Sequence, residues 1–569
     1  MAISRSLVCC LVLLTLGIVV GLIAILVLFV RVPESPCPGG YQHAAVAADA
    51  PPCSDIGRDI LKRGGSAVDS AIAALLCCSV LNPQSMGLGG GVIFTIYNAS
   101  TGVVEVINAR ETAPEGTPAN LMSRCKQPSF NNIGPTWIGV PGELRGYEAA
   151  HRRHGKLPWR TLFEPTIKLV SEGFQVPVVL NLFLNSSMLK RGIMNSSVCD
   201  VYCKDGDVMK AGHTLKIPKL AETLRMVADH GADVFYNGIL AERMVQDIRK
   251  AGGRMTLEDL KNFNVEIVPA LNVSLGDYTL YTPPPPAGGP ILSFILNILK
   301  GYKFGPDSVK GKGAKIETYH RIIEALKFAN GQKSKIRDHW ARESKQVIDL
   351  LMSDSFADLA RSRIDDSGNH NLSYYNISHT APEGPGTTHL SVIAKDGSAV
   401  SVTSTINYPF GSMIYSPQTG IILNNELADF CKMRPGSTVS NGERPPSAMT
   451  PAILISRDKT SKFVIGGAGG DMIISATALT IMNKIWFGYD LGKAISTGTI
   501  YVDGSNKLYS EDAQKNAADF HDVRQGLEAK GHRFSSMYHF MNVVQAVAKE
   551  GRCVYGESDK RKLSRAAGY

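Results

Sequence analysis

The chain has 569 residues, of which 44% are apolar, 20% charged and 7% aromatic, as is usual for a globular protein. This composition excludes a disordered chain, a collagen-like repeat and a disulfide miniprotein, and the length suffices for a large composite core. The net charge of +9 is spread thinly, with a basic cluster only at Lys560, Arg561 and Lys562. Because nucleic-acid binding needs a concentrated basic patch, we expect no nucleic-acid partner.

The N-terminal segment 7–30 is strongly apolar and contains no charged residue. As a helix of about 36 Å it is long enough to span the ~30 Å apolar core of a bilayer. A cleaved signal peptide has an apolar region of only about 7–15 residues, which favours a retained signal-anchor. The sequence therefore predicts a cytoplasmic tail at 1–6, a transmembrane helix at 7–30 and a large ectodomain.

The flanking charges do not indicate on which side of the membrane the ectodomain lies, since one arginine lies on each side of the segment 7–30. Its side is predicted from other features. Two cysteine pairs resemble disulfide bonds of an oxidising compartment: Cys53 with Cys77, and Cys199 with Cys203. The alternative is that these cysteines are buried free thiols. Nine cysteines lie outside the segment, so at least one is unpaired or intermolecular. N-x-S/T sequons add mild support for glycosylation at Asn98, Asn185, Asn195, Asn272, Asn371 and Asn376. We expect a single-pass type II protein of the plasma membrane with an extracellular ectodomain.

The first elements of the ectodomain are two helices followed by strands. Ser54 and Ser66 are each predicted to cap a helix. The glycine-rich run 85–91 follows the second helix and leads into apolar strands at 92–97 and 103–107. A dinucleotide-binding motif must instead follow a strand and open a helix, so this run indicates close backbone packing rather than nucleotide binding.

The middle of the chain, about 140–365, is predicted to alternate helices with loops. The clearest helical patterns cover 142–154, 218–230, 240–251 and 291–302. His151 and His154 have no nearby third ligand, so we interpret them as part of a solvated helix face rather than a metal pair. The sequence contains no HExxH, CxxC or GxSxG motif, and we expect neither a metal nor a cofactor.

A β-hairpin is predicted around the loop Lys395–Gly397, which β-branched segments flank on both sides. A three-residue hairpin loop prefers glycine at its last, left-handed position, and Gly397 supplies it. Residues 394 and 398 then pair, and the same register places Thr387 directly opposite Thr405. Opposed threonines are also common as plain sheet pairs. The hairpin alone therefore leaves two alternatives, a sheet pair or a nucleophile with its partner.

Further along the chain, strands are predicted at 451–456 and 463–465, and the second runs into a glycine-rich turn before Asp471 opens a helix. Gly469 and Gly470 at this helix N-terminus would present free backbone N–H groups, as an oxyanion hole requires. The alternative is a tight turn between strand and helix.

Six motifs together resemble the gamma-glutamyltransferase (glutathione hydrolase) family. They lie at residues 82–91, 106–111, 140–143, 386–391, 404–407 and 424–426. The resemblance covers about 44–569, and in fine detail, at 137–139 and 276–281, it is greatest to the leukotriene-C4-cleaving branch of the family. It implies an α/β N-terminal-nucleophile (Ntn) hydrolase fold, a four-layer α-β-β-α sandwich.

The resemblance also implies self-cleavage between Gly386 and Thr387. The products would be a large subunit, 31–386 with the N-terminal anchor, and a small subunit, 387–569, which stay together as a heterodimer. Thr387 would be the nucleophile, with its freed α-amine, of reference pKa roughly 7.7–8.0, as the base.

The same resemblance assigns supporting roles around the nucleophile. The amides of Gly469 and Gly470 would hold the oxyanion, and Thr405 would orient the nucleophile. The γ-glutamyl ester formed on Thr387 would pass to water or to an amino-acid or dipeptide acceptor. No cofactor takes part.

The charged end of the γ-glutamyl donor is assigned by resemblance as well. Arg110 would bind its α-carboxylate, for which a guanidinium fork is suited. Asn407, Glu426 and Asp429 would bind its α-ammonium.

The chain departs from the family pattern where two adjacent serines help to bind the α-carboxylate. Ser447 is kept, but Ala448 stands in the second position. Loss of one hydrogen bond to a charged group costs about 1.5–3 kcal/mol, which predicts weaker binding rather than lost chemistry. The C-terminal segment 559–564 also lacks the glycines usual in the family, a difference for which we have no account.

The leading hypothesis is an ectoenzyme that hydrolyses γ-glutamyl amides such as leukotriene C4, glutathione and its conjugates. One alternative is a weakly active or inactive membrane glycoprotein with a binding role, which Ala448 motivates. A second alternative is an Ntn acylase that acts on another amide.

Overall fold

Two antiparallel β-sheets packed face to face form the centre of the protein, with helices on both outer faces. The computed structural model describes residues 14–19, 37–125, 132–338, 344–377, 386–434, 436–515, 517, 520–536 and 543–569. Apolar side chains from both sheets meet in one buried layer, where Ile393 of the first sheet packs with Val464 and Val547 of the second. The predicted α/β four-layer sandwich is therefore the observed architecture.

The first sheet has seven strands, and its centre is the predicted hairpin. In spatial order the strands are Ala567–Gly568, Ala45–Ala47, Thr388–Ile393, Ala399–Thr405, Gly91–Tyr97, Val104–Ala109 and Glu266–Pro269. Every residue of the strand Gly91–Tyr97 is buried, because a helix layer covers one face and the second sheet the other. This burial on both faces explains the continuous apolar run in its sequence.

The second sheet has six strands and carries the glycine-rich turn at its centre. In spatial order the strands are Cys553–Ser558, Val543–Glu550, Lys462–Ala468, Ala452–Ser456, Tyr278–Thr282 and Leu271–Leu275. Within the described ranges, four two-stranded ribbons lie outside the two sheets: Phe174–Gln175 with Thr214–Leu215, Cys203–Lys204 with Asp207–Val208, Tyr415–Ser416 with Ile421–Ile422, and Ile500–Val502 with Leu508–Ser510.

The helices separate into two layers according to the sheet they cover. On the side of the first sheet they are Pro51–Lys62, Ala67–Leu81, Glu143–His154, Trp159–Glu172, Val178–Leu184, Lys190–Met194, Cys199–Tyr202, Pro218–His230, Asp233–Tyr236, Ile239–Lys250 and Leu257–Lys261. On the side of the second sheet they are Gly289–Lys300, Gly311–Lys333, Ser344–Met352, Asp354–Arg363, Met472–Ile485, Leu491–Ser496, Glu511–Gln514 and His521–Ala529. The four helices predicted in the middle of the chain are confirmed to within two residues at each end.

One of the two predicted N-caps is wrong. Ser66 caps the helix Ala67–Leu81 through a reciprocal pair of hydrogen bonds with Asp69, as expected. The preceding helix begins at Pro51, so Ser54 lies inside its first turn. The Ser54 hydroxyl instead accepts the backbone N–H of Ala48 at 3.1 Å. The helix begins at Pro51 because proline is favoured at the first helical position, where an N–H would have no partner within the helix.

Four disulfide bonds lie within the described part of the chain. Cys53–Cys77 and Cys199–Cys203 are the two predicted pairs and are confirmed. Two further bonds, Cys37–Cys553 and Cys125–Cys431, join cysteines 516 and 306 residues apart and could not be inferred from spacing. Cys78 is buried and free, which agrees with the odd number of cysteines outside the segment 7–30.

The predicted membrane segment 7–30 lies mostly outside the described residues. Its described part, residues 14–19, is helical and exposed. Of the helices in the described ranges, none combines the length and the apolarity that crossing a bilayer requires.

Candidate active site

The hairpin brings Thr387 and Thr405 together as the register predicts. Thr388 pairs with Ser404, and the loop closes with the N–H of Ala394 donating to the Ser398 carbonyl at 2.9 Å. Gly397 has φ +84°, the left-handed conformation that the loop requires. The Thr387 hydroxyl donates to Thr405 Oγ1 at 3.3 Å, and both side chains are buried.

Thr387 adopts a backbone conformation that a β-branched residue rarely takes. Its φ is +99°, and its N–H donates to the Ser85 carbonyl at 3.2 Å. Such a conformation costs on the order of 1–3 kcal/mol and persists only where the surroundings enforce it. Gly386 is fixed just as tightly, because a Cβ there would overlap the carbonyl oxygen of Asn407. The peptide bond between the two residues is therefore flanked by a strained φ at Thr387 and by close backbone packing at Gly386.

The glycine-rich turn of the second sheet reaches this same peptide bond. The N–H of Gly469 donates to the carbonyl oxygen of Gly386 at 3.0 Å. Gly469 and Gly470 both have positive φ, and the helix Met472–Ile485 begins directly after Asp471. The turn thus presents a backbone donor from a helix N-terminus, where the helix dipole favours negative charge.

Arg110 lies fully buried at the centre of a charged cluster. Its Nη1 pairs with Glu426, and its Nη2 lies 2.8 Å from Asp429 Oδ2. Nε and Nη2 also donate to the carbonyls of Pro445 and Pro446 at 3.0 and 3.1 Å. Burial alone would lower the pKa of Arg110, but Glu426 and Asp429 outweigh it, so the pKa is raised. Arg110 is predicted to bind the α-carboxylate of the donor, and Glu426 and Asp429 its α-ammonium. In this structure the three side chains pair with one another.

Glu111 adds a further acid to the cluster. Its carboxyl is buried 3.9 Å from Arg110 Nη1. Burial, together with the neighbouring Glu426, raises the pKa of Glu111 well above its usual value. Burial also raises the pKa of Glu426 to about 7, although Arg110 opposes this. Glu111 and Glu426 are thus two neighbouring buried acids whose pKa values are both raised, chiefly by burial.

Asn407 connects Thr387 and Thr405 to this cluster. Its N–H donates to Thr405 Oγ1 at 2.9 Å, and its Nδ2 donates to the Asn425 carbonyl at 3.2 Å. Its φ of +72° turns the chain out of the hairpin strand towards Glu426. The oxygen of Thr405 thus accepts both the Thr387 hydroxyl and the Asn407 N–H, which fixes how the Thr387 hydroxyl is oriented.

Ser447 and Ala448 lie at the edge of the cluster, next to Pro446. Ser447 donates its N–H to the Pro286 carbonyl at 2.7 Å, and its hydroxyl accepts the N–H of Met449 at 3.1 Å. Both side chains line an open cleft.

Two contacts to the hairpin were not predicted. Lys562 is buried, pairs with Asp49 and donates to the Thr387 carbonyl oxygen at 3.2 Å. Glu143 is buried under the hairpin, where the Ser404 hydroxyl donates to it at 2.8 Å. Burial raises the pKa of Glu143 to about 8. The partners are 175 and 261 residues apart, so no local pattern could have paired them.

Comparison with known proteins identifies the family. The family model for gamma-glutamyltranspeptidase matches residues 53–569. The chain is 49% identical over 571 residues to glutathione hydrolase 5 proenzyme of Rattus norvegicus, covering 98% of each chain. It is 48% identical over 559 residues to the Homo sapiens protein of that name, covering 94% of each. The chain belongs to the gamma-glutamyltranspeptidase family.

Solved structures agree with this gamma-glutamyltranspeptidase assignment at the level of the fold. Cephalosporin acylase from Bacillus halodurans superimposes with a TM-score of 0.82 at 24% identity, covering 93% of this chain and 96% of that one. Gamma-glutamyltranspeptidase of Helicobacter pylori gives a TM-score of 0.54 at 24% identity, covering 60% and 96%.

Membership of the gamma-glutamyltranspeptidase family makes the chain a glutathione hydrolase-type enzyme, which acts on γ-glutamyl donors with amino-acid acceptors. Three of the residues predicted for this chemistry, Arg110, Glu426 and Asp429, form one buried cluster. The Thr387 hydroxyl contacts Thr405, and the Gly469 N–H contacts the Gly386 carbonyl oxygen. In the described ranges, no group of three or more His, Cys, Asp or Glu is arranged to hold a metal ion.

Proposed function

We propose that the protein is an extracellular γ-glutamyl hydrolase and transferase that cleaves itself between Gly386 and Thr387 and then uses Thr387 as its nucleophile. One observation carries the proposal. The Thr387 hydroxyl is oriented by Thr405, while the Gly386 carbonyl oxygen accepts the Gly469 N–H at 3.0 Å. A nucleophile and an oxyanion donor therefore surround a single peptide bond.

Self-cleavage begins with attack of Thr387 Oγ1 on the carbonyl carbon of Gly386. The C–N bond breaks, the hydroxyl proton passes to the departing nitrogen, and an ester links Gly386 to the Thr387 oxygen. Water then hydrolyses the ester to a Gly386 carboxylate and a free Thr387. The Gly469 N–H stabilises the oxyanion, and the strain at φ +99° is relieved when the peptide bond opens.

Turnover uses the α-amine that this cleavage releases. With a reference pKa of roughly 7.7–8.0, the amine takes the proton from the Thr387 hydroxyl and returns it to the leaving amine. Thr387 attacks the γ-carbonyl and a γ-glutamyl ester forms, while the amides of Gly469 and Gly470 hold the oxyanion. Water releases glutamate, and the amine of an amino acid or dipeptide gives a new γ-glutamyl amide.

The buried charges support recognition of the glutamyl zwitterion. Arg110 binds the α-carboxylate of the donor, while Asn407, Glu426 and Asp429 bind its α-ammonium. In the free protein Arg110 forms ion pairs with Glu426 and Asp429. Buried charges need such partners, because an unpaired buried charge is strongly destabilising. The donors are glutathione, its S-conjugates and leukotriene C4, as the sequence resemblance implies.

An extracellular placement is supported by the disulfides and by the sequons. Four disulfide bonds are typical of a protein that folds in an oxidising compartment. Five of the six sequon asparagines are exposed, and Asn98 is partly exposed. The segment 7–30 is the proposed signal-anchor of a type II plasma-membrane protein.

The proposal is tested on the full-length chain by a reducing denaturing gel. We expect two fragments, the smaller beginning at Thr387, together with dye release from a γ-glutamyl anilide. Thr387→Ala should abolish both cleavage and turnover. Thr388→Ala is the matched control, because its hydroxyl is buried and has no hydrogen-bond partner among the residues that the structure describes. An uncut chain that is active, or a Thr387→Ala protein that is cleaved, would contradict the proposal.

A second candidate function is a weakly active glycoprotein with a binding role, which Ala448 favours. A cleaved protein that releases neither dye from the anilide nor product from leukotriene C4 would support it. The variant Arg110→Ala distinguishes a glutamyl-specific enzyme from an Ntn acylase of another specificity. A glutamyl-specific site should lose most of its kcat/KM in that variant.

A further inference from the structure

Glu143 is a buried acid beside the hairpin that the proposed reaction does not use. It is fully buried at the start of the helix Glu143–His154. Both of its carboxyl oxygens lie 2.8 Å from the Ser404 hydroxyl oxygen, and the Tyr147 hydroxyl donates to Oε1. Burial raises the pKa of Glu143 to about 8. Because a buried acid is costly to keep, one with a strongly raised pKa is a candidate for a functional role.

The contact with Ser404 places Glu143 one residue away from Thr405. Ser404 and Thr405 end the strand Ala399–Thr405, and successive side chains of a strand point to opposite faces of the sheet. Ser404 therefore contacts Glu143 on the helix-covered face, while Thr405 points to the other face and accepts the Thr387 hydroxyl at 3.3 Å. Ser404 also pairs with Thr388, the residue that follows Thr387. Glu143 thus holds the hairpin at the end that carries Thr387 and Thr405.

The backbone at Glu143 also holds Thr405, through the neighbouring strand. The N–H groups of Gly142 and Glu143 donate to the Gly90 carbonyl at 2.9 and 3.0 Å. Gly90 packs against the Thr405 carbonyl oxygen, which a Cβ at that position would overlap, and Gly91 pairs with Thr405 in the sheet. The start of this helix therefore contacts the Thr405 end of the hairpin through both its side chain and its backbone.

We propose that Glu143 is a positioning residue for the proposed reaction, which holds Thr405 through Ser404 and thereby keeps the Thr387 hydroxyl aligned for attack. Glu143 acts through Ser404 and takes no part in making or breaking bonds. The same alignment serves self-cleavage and turnover, because Thr387 Oγ1 is the attacking atom in both. A small displacement of the attacking atom slows the chemical step without weakening binding of the donor. The inference rests on the proposed function and adds to it a residue outside the donor site.

The role is tested with Glu143→Leu and Glu143→Gln in the full-length chain, with rates normalised to the amount of cleaved enzyme. Leucine fills a similar volume but cannot bind the Ser404 hydroxyl, whereas glutamine keeps both the shape and a hydrogen-bond partner for it. In Glu143→Leu we expect kcat for γ-glutamyl-p-nitroanilide to fall about tenfold with KM unchanged, and self-cleavage to slow as well. Glu143→Gln should restore kcat to within about threefold of the wild-type value.

Asp247→Leu is the matched control for the loss of a buried acid. Asp247 is buried and accepts the Ser416 hydroxyl at 2.6 Å, and Ser416 lies in a ribbon outside the two sheets. This variant should lower thermal stability without changing kcat, because it leaves the hairpin contacts in place. A fall in kcat equal to that of Glu143→Leu would show that general destabilisation accounts for the effect, and would refute the positioning role.

Ser404→Ala tests whether Glu143 acts through Ser404. It should lower kcat by the same factor as Glu143→Leu, and the double variant should lose no more than either single change. If Glu143→Leu does not mature, Ser404→Ala carries the same expectation, since it removes only one hydroxyl. An unchanged kcat, or losses that multiply in the double variant, would refute the positioning role while the proposed function stands. Failure of the unaltered chain to release dye from the anilide would refute both.

Discussion

At the scale of single residues, Gly386 and Thr387 show how the peptide bond of the proposed self-cleavage is held. Thr387 has φ +99°, and the Gly386 carbonyl oxygen is bound by Gly469. Gly386 itself lies against the Asn407 carbonyl, where no side chain fits. On one side of the bond, Gly386 packs against the Asn407 carbonyl, and on the other side Thr387 has a strained φ.

Replacing Gly386 with alanine is expected to slow self-cleavage about 100-fold, because an added Cβ overlaps the Asn407 carbonyl oxygen and the backbone has to shift. The rate is measured by pulse-labelling and reducing gels. Gly305→Ala is the control, since a Cβ there meets nothing within 4 Å and φ is −147°. Cleavage of Gly386→Ala at the unaltered rate would show that this contact does not position the bond.

Ala448→Ser restores the second serine of the family pattern at the edge of the charged cluster. We expect KM for glutathione to fall about tenfold with little change in kcat, because a hydrogen bond to the donor carboxylate stabilises ground state and transition state alike. Ser447→Ala should change KM in the opposite direction. Steady-state kinetics of the two variants measure these changes in KM. An unchanged KM in Ala448→Ser would mean that residue 448 does not face the α-carboxylate of the donor.

At the scale of elements, the hairpin could be predicted and the charged cluster could not. The loop Lys395–Gly397 fixes the register through local turn chemistry, and the register alone places Thr387 opposite Thr405. Arg110 meets Glu426 only because the chain folds back over 316 residues. The sequence motifs named both residues, but that they pair with one another depends on tertiary packing, which no local periodicity encodes.

The two sheets meet around a buried histidine of the hairpin. His389 Nδ1 accepts the Thr403 hydroxyl at 2.8 Å, and Nε2 donates to Ser391 Oγ at 3.0 Å. Ser391 in turn donates to the Gln545 carbonyl of the second sheet at 3.0 Å. Gly466 leaves room for the imidazole ring, which a Cβ at that position would overlap. Burial lowers the pKa of His389 to about 3, so the ring is neutral in the folded protein.

This histidine should make the fold sensitive to acid. The unfolded chain takes up a proton near pH 6.5, whereas folded His389 does so only near pH 3, so the unfolded state binds more protons in that window. Relative to His389→Gln, the wild-type free energy of unfolding should fall by about 1.4 kcal/mol per pH unit below pH 6.5. Denaturant unfolding between pH 4.5 and 8 measures the difference. The exposed His213→Gln is the control, and a pH-independent difference for His389→Gln would contradict the account.

At the scale of the whole molecule, the two fragments of the proposed cleavage are interleaved. In the first sheet the strand Thr388–Ile393 of the small fragment lies beside Ala45–Ala47 of the large one. In the second sheet Tyr278–Thr282 of the large fragment pairs with Ala452–Ser456 of the small one. Separating the fragments would therefore require both sheets to open.

Two disulfides also cross the proposed cut, since Cys37–Cys553 and Cys125–Cys431 each join the large fragment to the small one. The cleaved protein should therefore run as a single band on a denaturing gel without reductant and as two bands with it. Cys125→Ser alone should leave a single band, because Cys37–Cys553 still links the fragments. Combining it with Cys553→Ser should release the small fragment without reductant. Two bands from the unreduced wild-type protein would mean that neither covalent link forms, and that the shared sheets alone hold the fragments together.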